Sequence, residues 1–281
     1  MRISSLKRLG KACAGLSLAI SASLMTVTPV QAAGGDLLVA PTRIVLDGQR
    51  GTEVILNNIG SETATYRISL ELRRMTSDGR LEDVTAEQAN EIEQAAKDMI
   101  RYAPRRVTLP PNQPQAIRLG VRPPQDLADG EYRAHLLFRA IPKARNVTEK
   151  APTNGGFSIA LTPIYGVTIP VIIRQGNLEA TAGIANARVE RSDNGHAFAF
   201  DLSRTGERST YGEIRVVKQG QSEPILVARG IAVYPEVGHR KVALPVPAEI
   251  AAQLTGAVSV EYYEPANIGG GLITKTQLVL R

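Results

Sequence analysis

The sequence predicts an all-β protein made of two β-sandwiches in tandem. Short runs rich in Val, Ile and Leu alternate with polar residues at every second position, which is the period of a strand with one buried face. Turn residues separate these runs, and the 281 residues include 25 Gly and 17 Pro, a composition typical of sandwiches and barrels. The length suits one large domain or two domains of ordinary size.

The first 32 residues are predicted to be a secretory signal peptide. A positive start from Arg2 to Lys11 precedes the nearly uncharged apolar residues 12–27, and residues 30–32 offer a small-x-small cleavage site. No later segment has the roughly 20 consecutive apolar residues that span a membrane. We therefore expect an exported protein without a membrane span, with an uncut N-terminal anchor as the alternative.

The charge balance of the exported part argues against a nucleic-acid partner. The chain has 33 basic and 27 acidic residues, and four of the basic ones lie in residues 1–32. The remaining 29 basic residues exceed the acidic ones by only two, which predicts no basic surface for nucleic acid. The single cysteine, Cys13, lies in the same leader, so the exported part has no disulfide and no thiol chemistry.

Residues 33–175 are predicted to form the first domain, with one helical insertion. Thr85 and Gln88 have the spacing of a capping box, and apolar residues recur at helical intervals from Ala89 to Ile100. The strands predicted around this helix are Arg43–Leu46, Glu53–Asn58, Thr63–Leu72, Arg105–Leu109, Gln115–Val121 and Tyr132–Ile141.

Residues 176–281 are predicted to form the second domain, after a linker at residues 174–177. Residues 192–195 read Ser-Asp-Asn-Gly, which is a hairpin signal between two alternating runs. The strands predicted here are Ala182–Glu190, His196–Leu202, Glu213–Lys218, Ile225–Val233, Arg240–Leu244, Val258–Tyr263 and Leu272–Leu280.

The segment from Phe157 to Ile173 has the longest alternation in the chain, because every odd position in it is apolar. Seventeen extended residues would run roughly 55 Å, which exceeds the height of one sandwich. Part of this apolar ridge must therefore bend or lack a partner within its own domain. Pro163 and Pro170 cannot donate to a ladder, which predicts an edge strand or a strand with bulges.

Three stretches of the first domain carry the motifs of a known family. Pro41–Gly48 holds an arginine and an Asp-Gly turn, Leu109–Asn112 holds a proline turn, and Phe138–Pro142 reads Phe-Arg-Ala-Ile-Pro. These stretches resemble the periplasmic chaperones of the chaperone–usher pathway, with Ala140 in place of an acidic residue. The resemblance implies two immunoglobulin-like sandwiches and a periplasmic location.

In that family, the long strand of the first domain donates alternate apolar side chains to a secreted pilus-type subunit that lacks its final strand. The chaperone then delivers the subunit to an outer-membrane usher. Alignment on Ser158–Leu161 and alignment on Arg174 differ by four residues, and an even shift keeps the same face. An exposed ridge also predicts a self-capping homodimer. The donor residues implied by the two alignments are Phe157, Ile159, Leu161, Pro163 and Tyr165.

The resemblance also implies an anchor for the C-terminal carboxylate of the subunit. The family uses an arginine and a lysine in the cleft between the domains, and Arg43 matches the arginine. A guanidinium suits this role because it can bind a carboxylate with two parallel hydrogen bonds. The lysine is missing, because its position falls at Pro170 or Gly166. The alternative is that Arg43 is an ordinary strand arginine facing solvent.

A cluster of polar residues that fixes the angle between the domains is a further feature of the family. Glu131 and Arg174 match two of its members, and Asn267 stands in place of the aspartate that forms the third. Asparagine can still accept a hydrogen bond but brings no charge. The resemblance therefore implies a structural interdomain lock of Glu131, Arg174 and Asn267.

The sequence predicts no enzyme, no cofactor and no metal site. Its three histidines, His135, His196 and His239, have no metal-ligand spacing, and no nucleophile motif accompanies them. The alternative to a chaperone is an immunoglobulin-like surface adhesion or envelope scaffold module, since a sandwich fold suits both functions. The long edge strand and the cleft arginine favour the chaperone.

Overall fold

A computed structural model of the protein describes residues 36–47, 50–143, 163–192 and 195–281. The described residues form two β-sandwiches, one after the other along the chain. The first sandwich comprises strands β1 to β10 and helix α1, and the second sandwich comprises strands β11 to β17 and helix α2. The all-β fold class predicted from the sequence is confirmed.

Two sheets make up the first sandwich. One has the order β1-β3-β8-β6, and the other has the order β2-β10-β9-β4, with β5 and β7 both paired to β4. The elements are β1 (Leu37–Ala40), β2 (Ile44–Leu46), β3 (Thr52–Asn58), β4 (Ala64–Met75), β5 (Leu81–Val84), α1 (Glu91–Met99), β6 (Ile100–Ala103), β7 (Arg106–Leu109), β8 (Pro114–Val121), β9 (Gly130–Ile141) and β10 (Gly166–Gln175).

The order of these strands is of the immunoglobulin type. The start of the chain changes sheets, because β1 runs antiparallel to β3 while β2 runs parallel to β10. The two sheets then follow the ABED and GFC arrangement of that fold. Between them, alternate side chains of most strands are buried, as the period of two in the sequence predicts, although β5 contributes no buried side chain. The largest of these are Leu56, Tyr66, Ile117, Leu136, Phe138 and Ile169.

Helix α1 begins later than the sequence pattern suggests. The predicted capping box at Thr85 is wrong, because the residues that follow Thr85 form a turn in which its carbonyl accepts from the N–H groups of Gln88 and Ala89. Asn90 is the N-cap instead: its side chain accepts from Glu93 N at 2.8 Å, and the Glu93 carboxylate accepts from Asn90 N at 2.9 Å. Both sites have the required spacing, and the reciprocal bonds form at the second.

The second sandwich has sheets of order β11-β12-β15 and β14-β13-β16-β17. All seven strands predicted for this part of the chain are confirmed. Helix α2, which the sequence reading did not predict, joins the two sheets. The elements are β11 (Ala180–Ser192), β12 (Gly195–Gly206), β13 (Thr210–Lys218), β14 (Pro224–Val233), β15 (His239–Val246), α2 (Ala248–Gln253), β16 (Gly256–Tyr263), a 3₁₀ turn (Ala266–Ile268) and β17 (Leu272–Leu280).

Its core is separate from that of the first sandwich. Phe198 and Phe200 lie at its centre, with ring centroids 5.5 Å apart. A third, small cluster of buried residues joins the two sandwiches and consists of Met75, Ile172, Ala232 and Tyr234. Within the described ranges, no helix is long and apolar enough to cross a membrane.

Candidate binding edge and interdomain cleft

Strand β10 is paired unequally on its two sides. On one side, β9 pairs with all ten residues from Gly166 to Gln175. On the other side, β2 pairs only with Val171–Ile173. We call Gly166–Pro170 the open half and Val171–Gln175 the covered half, since no described strand lies along the outer edge of the open half. A row of unpaired backbone groups of this kind is a template for another strand.

Two of the five predicted donor residues lie just before this open half. Pro163 and Tyr165 are exposed, Tyr165 by 41%, and Ile164 between them is exposed by 47%. The other three, Phe157, Ile159 and Leu161, lie outside the described residues. The donor assignment therefore stays a prediction.

The alternation predicted for the segment holds along β10, with one exception. Ile169, Val171 and Ile173 are buried in the core of the first sandwich. Ile172 points to the opposite face and is also fully buried, because it packs against Tyr234 of the second sandwich. The covered half is thus enclosed on both faces, which the sequence pattern alone does not indicate.

The predicted anchor residue, Arg43, lies between the two sandwiches. Its Nη1 donates to Tyr234 Oη at 3.2 Å, and its Nη2 donates to Ser209 Oγ at 2.9 Å. The guanidinium also lies 4.4 Å from the ring centroid of Tyr211. Among the described residues, no carboxylate forms an ion pair with it. Arg43 is therefore a half-buried cation whose described partners are all neutral, with donors left over for an anion.

The positions where the family lysine would stand do not restore a second positive group in the cleft. Pro170 pairs in register with His135, which is buried and whose ring nitrogens have no hydrogen-bond partner in the described part of the chain. Burial, together with the positive charges of Arg133, Arg73 and Arg43, lowers the pKa of His135 to about 3. The imidazole is neutral at ordinary pH and cannot pair with a carboxylate as the lysine would.

Two of the predicted lock residues form the expected pair. Arg174 and Glu131 lie opposite each other on β10 and β9, and Arg174 Nε lies 3.1 Å from Glu131 Oε2. The same oxygen accepts from Ser209 N at 3.0 Å and from Ser209 Oγ at 2.9 Å. Asn267 lies in the 3₁₀ turn, and its side chain is outside the description, so its role stays a prediction. Ser209, which the sequence reading missed, connects the pair to the second sandwich.

A second set of contacts joins the sandwiches at the hairpin between β4 and β5. The carboxylate of Glu236 accepts from Met75 N at 2.8 Å and forms an ion pair with Arg133. The Arg133 guanidinium lies 3.6 Å from the ring centroid of Tyr234. Further along, Lys241 N donates to the carbonyl of Ser77 at 2.7 Å.

Arg43 lies between these two sets of contacts, which both join the first sandwich to the second. Ser209 belongs both to the lock and to the Arg43 site, and Tyr234 belongs both to the hairpin contact and to the Arg43 site. Nothing in the local sequence marks Ser209 or Tyr234 as a partner, since they come from distant parts of the chain. No group of three His, Cys, Asp or Glu side chains that could hold a metal occurs within the described ranges.

No protein-family model and no curated protein matches the chain. Among solved structures, the chain is similar to the chaperone YadV, with 14% identity, 86% of this chain and 100% of that chain covered, and a TM-score of 0.44. It is similar to the class 5 fimbriae chaperone CfaA, with 12% identity, coverages of 87% and 99%, and a TM-score of 0.43. It is also similar to a chain in the complex of Salmonella enterica SafA pilin with the SafB chaperone, with 17% identity, coverages of 87% and 96%, and a TM-score of 0.42.

Proposed function

We propose that the protein is a periplasmic chaperone that completes the sandwich of a secreted pilus-type subunit by lending it a strand. The observation that carries this proposal is the unpaired outer edge of Gly166–Pro170. The apolar alternation of the sequence continues from this edge back to Phe157. An edge strand of a stable secreted protein is normally shortened, charged or covered. An edge with apolar side chains instead suits a partner that lacks a strand.

Strand addition explains why both features occur together. The backbone N–H and C=O groups of the edge can pair with a strand of the subunit, which provides affinity without regard to sequence. Alternate apolar side chains can then fill the groove where the subunit lacks its own strand. In our proposal these are drawn from Phe157, Ile159, Leu161, Pro163 and Tyr165, all of which share one face of an extended chain.

Arg43 is proposed to bind the C-terminal carboxylate of the subunit. Its charge has no described carboxylate partner, and the hydroxyl groups of Ser209 and Tyr234 hold its guanidinium in the cleft. The bonds to the two hydroxyls are charge-assisted on one side only, whereas a carboxylate carries the opposite charge and can accept two parallel hydrogen bonds from one guanidinium. An arriving carboxylate would therefore gain more from Arg43 than the two hydroxyls do.

Export by residues 1–32, delivery of the subunit to an outer-membrane usher and self-capping of the free protein as a homodimer complete the proposal. Self-capping follows from the exposed edge, export from the charge and apolar pattern of residues 1–32, and delivery to an usher from the family resemblance. A protein with an open apolar strand aggregates unless that strand is covered. Covering by a second copy would protect the free protein until a subunit replaces the copy.

The test is recovery of a client from the periplasm with two matched double variants. Ile159→Asp with Leu161→Asp places charges on the proposed donor face, whereas Ser158→Asp with Ala160→Asp places them on the opposite face. We expect the tagged wild type and the Ser158/Ala160 variant to recover one small secreted protein in a one-to-one ratio. The Ile159/Leu161 variant should recover none while its melting temperature stays unchanged. Equal recovery by both variants, or no client with the wild type, would contradict strand donation.

Arg43→Gln tests the anchor separately. We expect affinity for the recovered client to fall at least tenfold, because a charged hydrogen bond to a carboxylate is worth about 1.5–3 kcal/mol. Client affinity is measured by titration of purified partners, and stability is measured by urea unfolding. A variant that loses stability but keeps full affinity would show that Arg43 only joins the two sandwiches.

A further inference from the structure

Three arginines from three neighbouring strands lie in one row on the outer face of the first sandwich. Arg106 of β7 is directly opposite Arg67 of β4, and Arg67 is directly opposite Arg139 of β9. On the other side of Arg139, the row ends at Gly166, the first residue of β10. All three arginines are exposed, because their neighbours along each strand face the core. Neighbouring strands are about 4.8 Å apart, so the row is compact.

This row has no counter-charge within the described ranges. None of its three guanidinium groups forms an ion pair or a hydrogen bond with a described residue. Glu71 of β4 is already paired with Arg73, and Glu62, which precedes β4, is paired with Lys143. Like charges directly opposite on adjacent strands destabilise a sheet. The row therefore destabilises the folded protein, and a ligand of opposite charge would remove this repulsion.

The positive surface extends past β4 into an adjoining pocket. This open pocket has a volume of roughly 550 Å³, and its lining includes Ser69, which lies two residues from Arg67 on the same face of β4. Lys97, Arg101 and Arg105 also line it, together with the carboxylate of Asp98. Gln94 donates to that carboxylate. The cations in the pocket outnumber the acid by three to one, so the surface attracts anions over more than the width of the row.

We propose that the arginine row of Arg67, Arg106 and Arg139 is a docking site for an acidic segment of a protein partner. Guanidinium groups bind carboxylates bidentately, and a row on a flat sheet face suits several carboxylates at once. The row also runs to the outer edge of the open half at Gly166. There, a fourth side chain would crowd Leu137, since an added Cβ would lie 3.0 Å from Leu137 Cδ1. A strand added at this edge would bring its own residue into line with the row.

The last point rests on the proposed function, because it assumes that a strand is added to β10. The row lacks counter-charges within the described ranges whatever binds at the edge. The site is therefore tested with defined probes rather than with a client. The probes are fluorescein-labelled hexaglutamate, labelled hexaglutamine, and vesicles of phosphatidylglycerol with phosphatidylcholine.

Fluorescence anisotropy with the full exported chain measures the binding of each peptide. We expect hexaglutamate to bind and hexaglutamine not to bind. The Kd for hexaglutamate should rise at least tenfold in the triple variant Arg67→Gln, Arg106→Gln, Arg139→Gln. Affinity should also weaken several-fold as the ionic strength rises from about 0.01 M to about 0.15 M, since exposed charges are screened over that range. The triple variant should melt about 2–4 °C higher at low salt, because the repulsion in the row is gone.

A second triple variant controls for total charge. Arg80→Gln, Arg118→Gln and Arg229→Gln remove three exposed arginines that each pair with a carboxylate, so the net charge changes equally. Hexaglutamate should bind this variant as it binds the wild type. An equal loss of hexaglutamate affinity in both triple variants would overturn the site. A lower melting temperature in the first triple variant would also overturn it. A different outcome is that the wild type binds the vesicles but not hexaglutamate, and that the first triple variant loses the vesicle binding. This outcome would assign the row to a membrane and overturn the proposal of a protein partner.

A further variant separates this inference from strand donation. Pro163→Asp with Tyr165→Asp adds charges at two proposed donor residues, which lie on the face opposite to that of Gly166 and the row. Hexaglutamate binding that survives this change while client recovery fails supports both the row and the donor segment. If the wild type recovers a client but does not bind hexaglutamate, the docking site at the row is overturned and strand donation is not.

Discussion

The two halves of β10 carry the same alternation of apolar residues but have different surroundings. In the covered half, β9 pairs one side of the strand, and β2 pairs the other at Val171–Ile173. In the open half, β9 is the only described partner, although Ile169 is as deeply buried as the core residues that follow it. Backbone pairing on the outer edge, rather than side-chain polarity, therefore distinguishes the half that holds the fold from the half that can accept a partner.

The halves also differ in what lies against their outward face. In the covered half, Ile172 packs against Tyr234, and Arg174 pairs with a glutamate that binds Ser209. In the open half, Thr168 is only partly buried and Gly166 is exposed. The second sandwich thus encloses one half and leaves the other accessible. This difference predicts that equal substitutions in the covered half and in the exposed segment just before the open half have unequal effects.

The largest difference is expected between Val171→Asp and Tyr165→Asp. Both residues lie on the same face of one extended segment, but Val171 is fully buried. A carboxylate there has no partner, so the free energy of unfolding should fall by more than about 4 kcal/mol. Tyr165→Asp should change it by less than about 0.5 kcal/mol. Urea unfolding measures both, and similar losses would mean that the segment before the open half is as enclosed as the covered half.

A smaller effect, which depends on pH, is expected at His135, which pairs in register with Pro170 at the end of the open half. Burial is the main cause that lowers the pKa of His135 to about 3 in the folded protein. The unfolded chain binds a proton near pH 6.5 that the folded protein cannot accept. The contribution of His135 to the free energy of unfolding is therefore fully present above pH 6.5. Below that pH the free energy of unfolding decreases by about 1.4 kcal/mol per pH unit, down to about pH 3.

Urea unfolding between pH 7 and pH 4.5 checks this slope. His135→Leu should remove about 2.7 kcal/mol of the pH-dependent loss over the two units below pH 6.5. His239→Asn replaces an exposed histidine and serves as the control that should keep the wild-type slope. The same slope in His135→Leu and in the wild type would show that the unfolded state does not gain the proton at this residue.

Local patterns in the sequence predict the strands well, but they do not predict the contacts between the two sandwiches. A period of two identifies β9 and β10, because burial on one face leaves its mark within a few residues. The burial of Ile172 is different, since it depends on Met75 and Tyr234, which are remote in sequence. Ser209 is missed for the same reason. Family motifs do point to Glu131 and Arg174, because those residues directly adjoin the predicted strand Tyr132–Ile141 and the alternating segment Phe157–Ile173.

Glu131→Gln tests how strongly the covered half is held to the second sandwich. The Glu131 side chain is fully buried and binds both Arg174 and Ser209. Loss of its charge should lower the free energy of unfolding by about 2 kcal/mol, since hydrogen bonds to a charged group are worth about 1.5–3 kcal/mol. Glu53→Gln removes one partner of an exposed pair with Arg118 and should cost less than about 1 kcal/mol. Equal costs in urea unfolding would contradict a buried lock.

The smallest effect is expected for Tyr234→Phe, which keeps the ring that packs on Ile172 but removes the hydroxyl that accepts from Arg43. This bond is to a charged group, but it is long at 3.2 Å and only partly buried, so its loss should lower the free energy of unfolding by about 1 kcal/mol, below the roughly 1.5–3 kcal/mol of well-formed bonds to charged groups. Tyr102→Phe is a matched control, because Tyr102 also accepts from an arginine, Arg105, but at an exposed site. Its cost should be smaller, since water can replace the lost partner there. If both variants cost the same in urea unfolding, the cleft does not shield Arg43 from solvent, and a client carboxylate would gain no advantage from binding there.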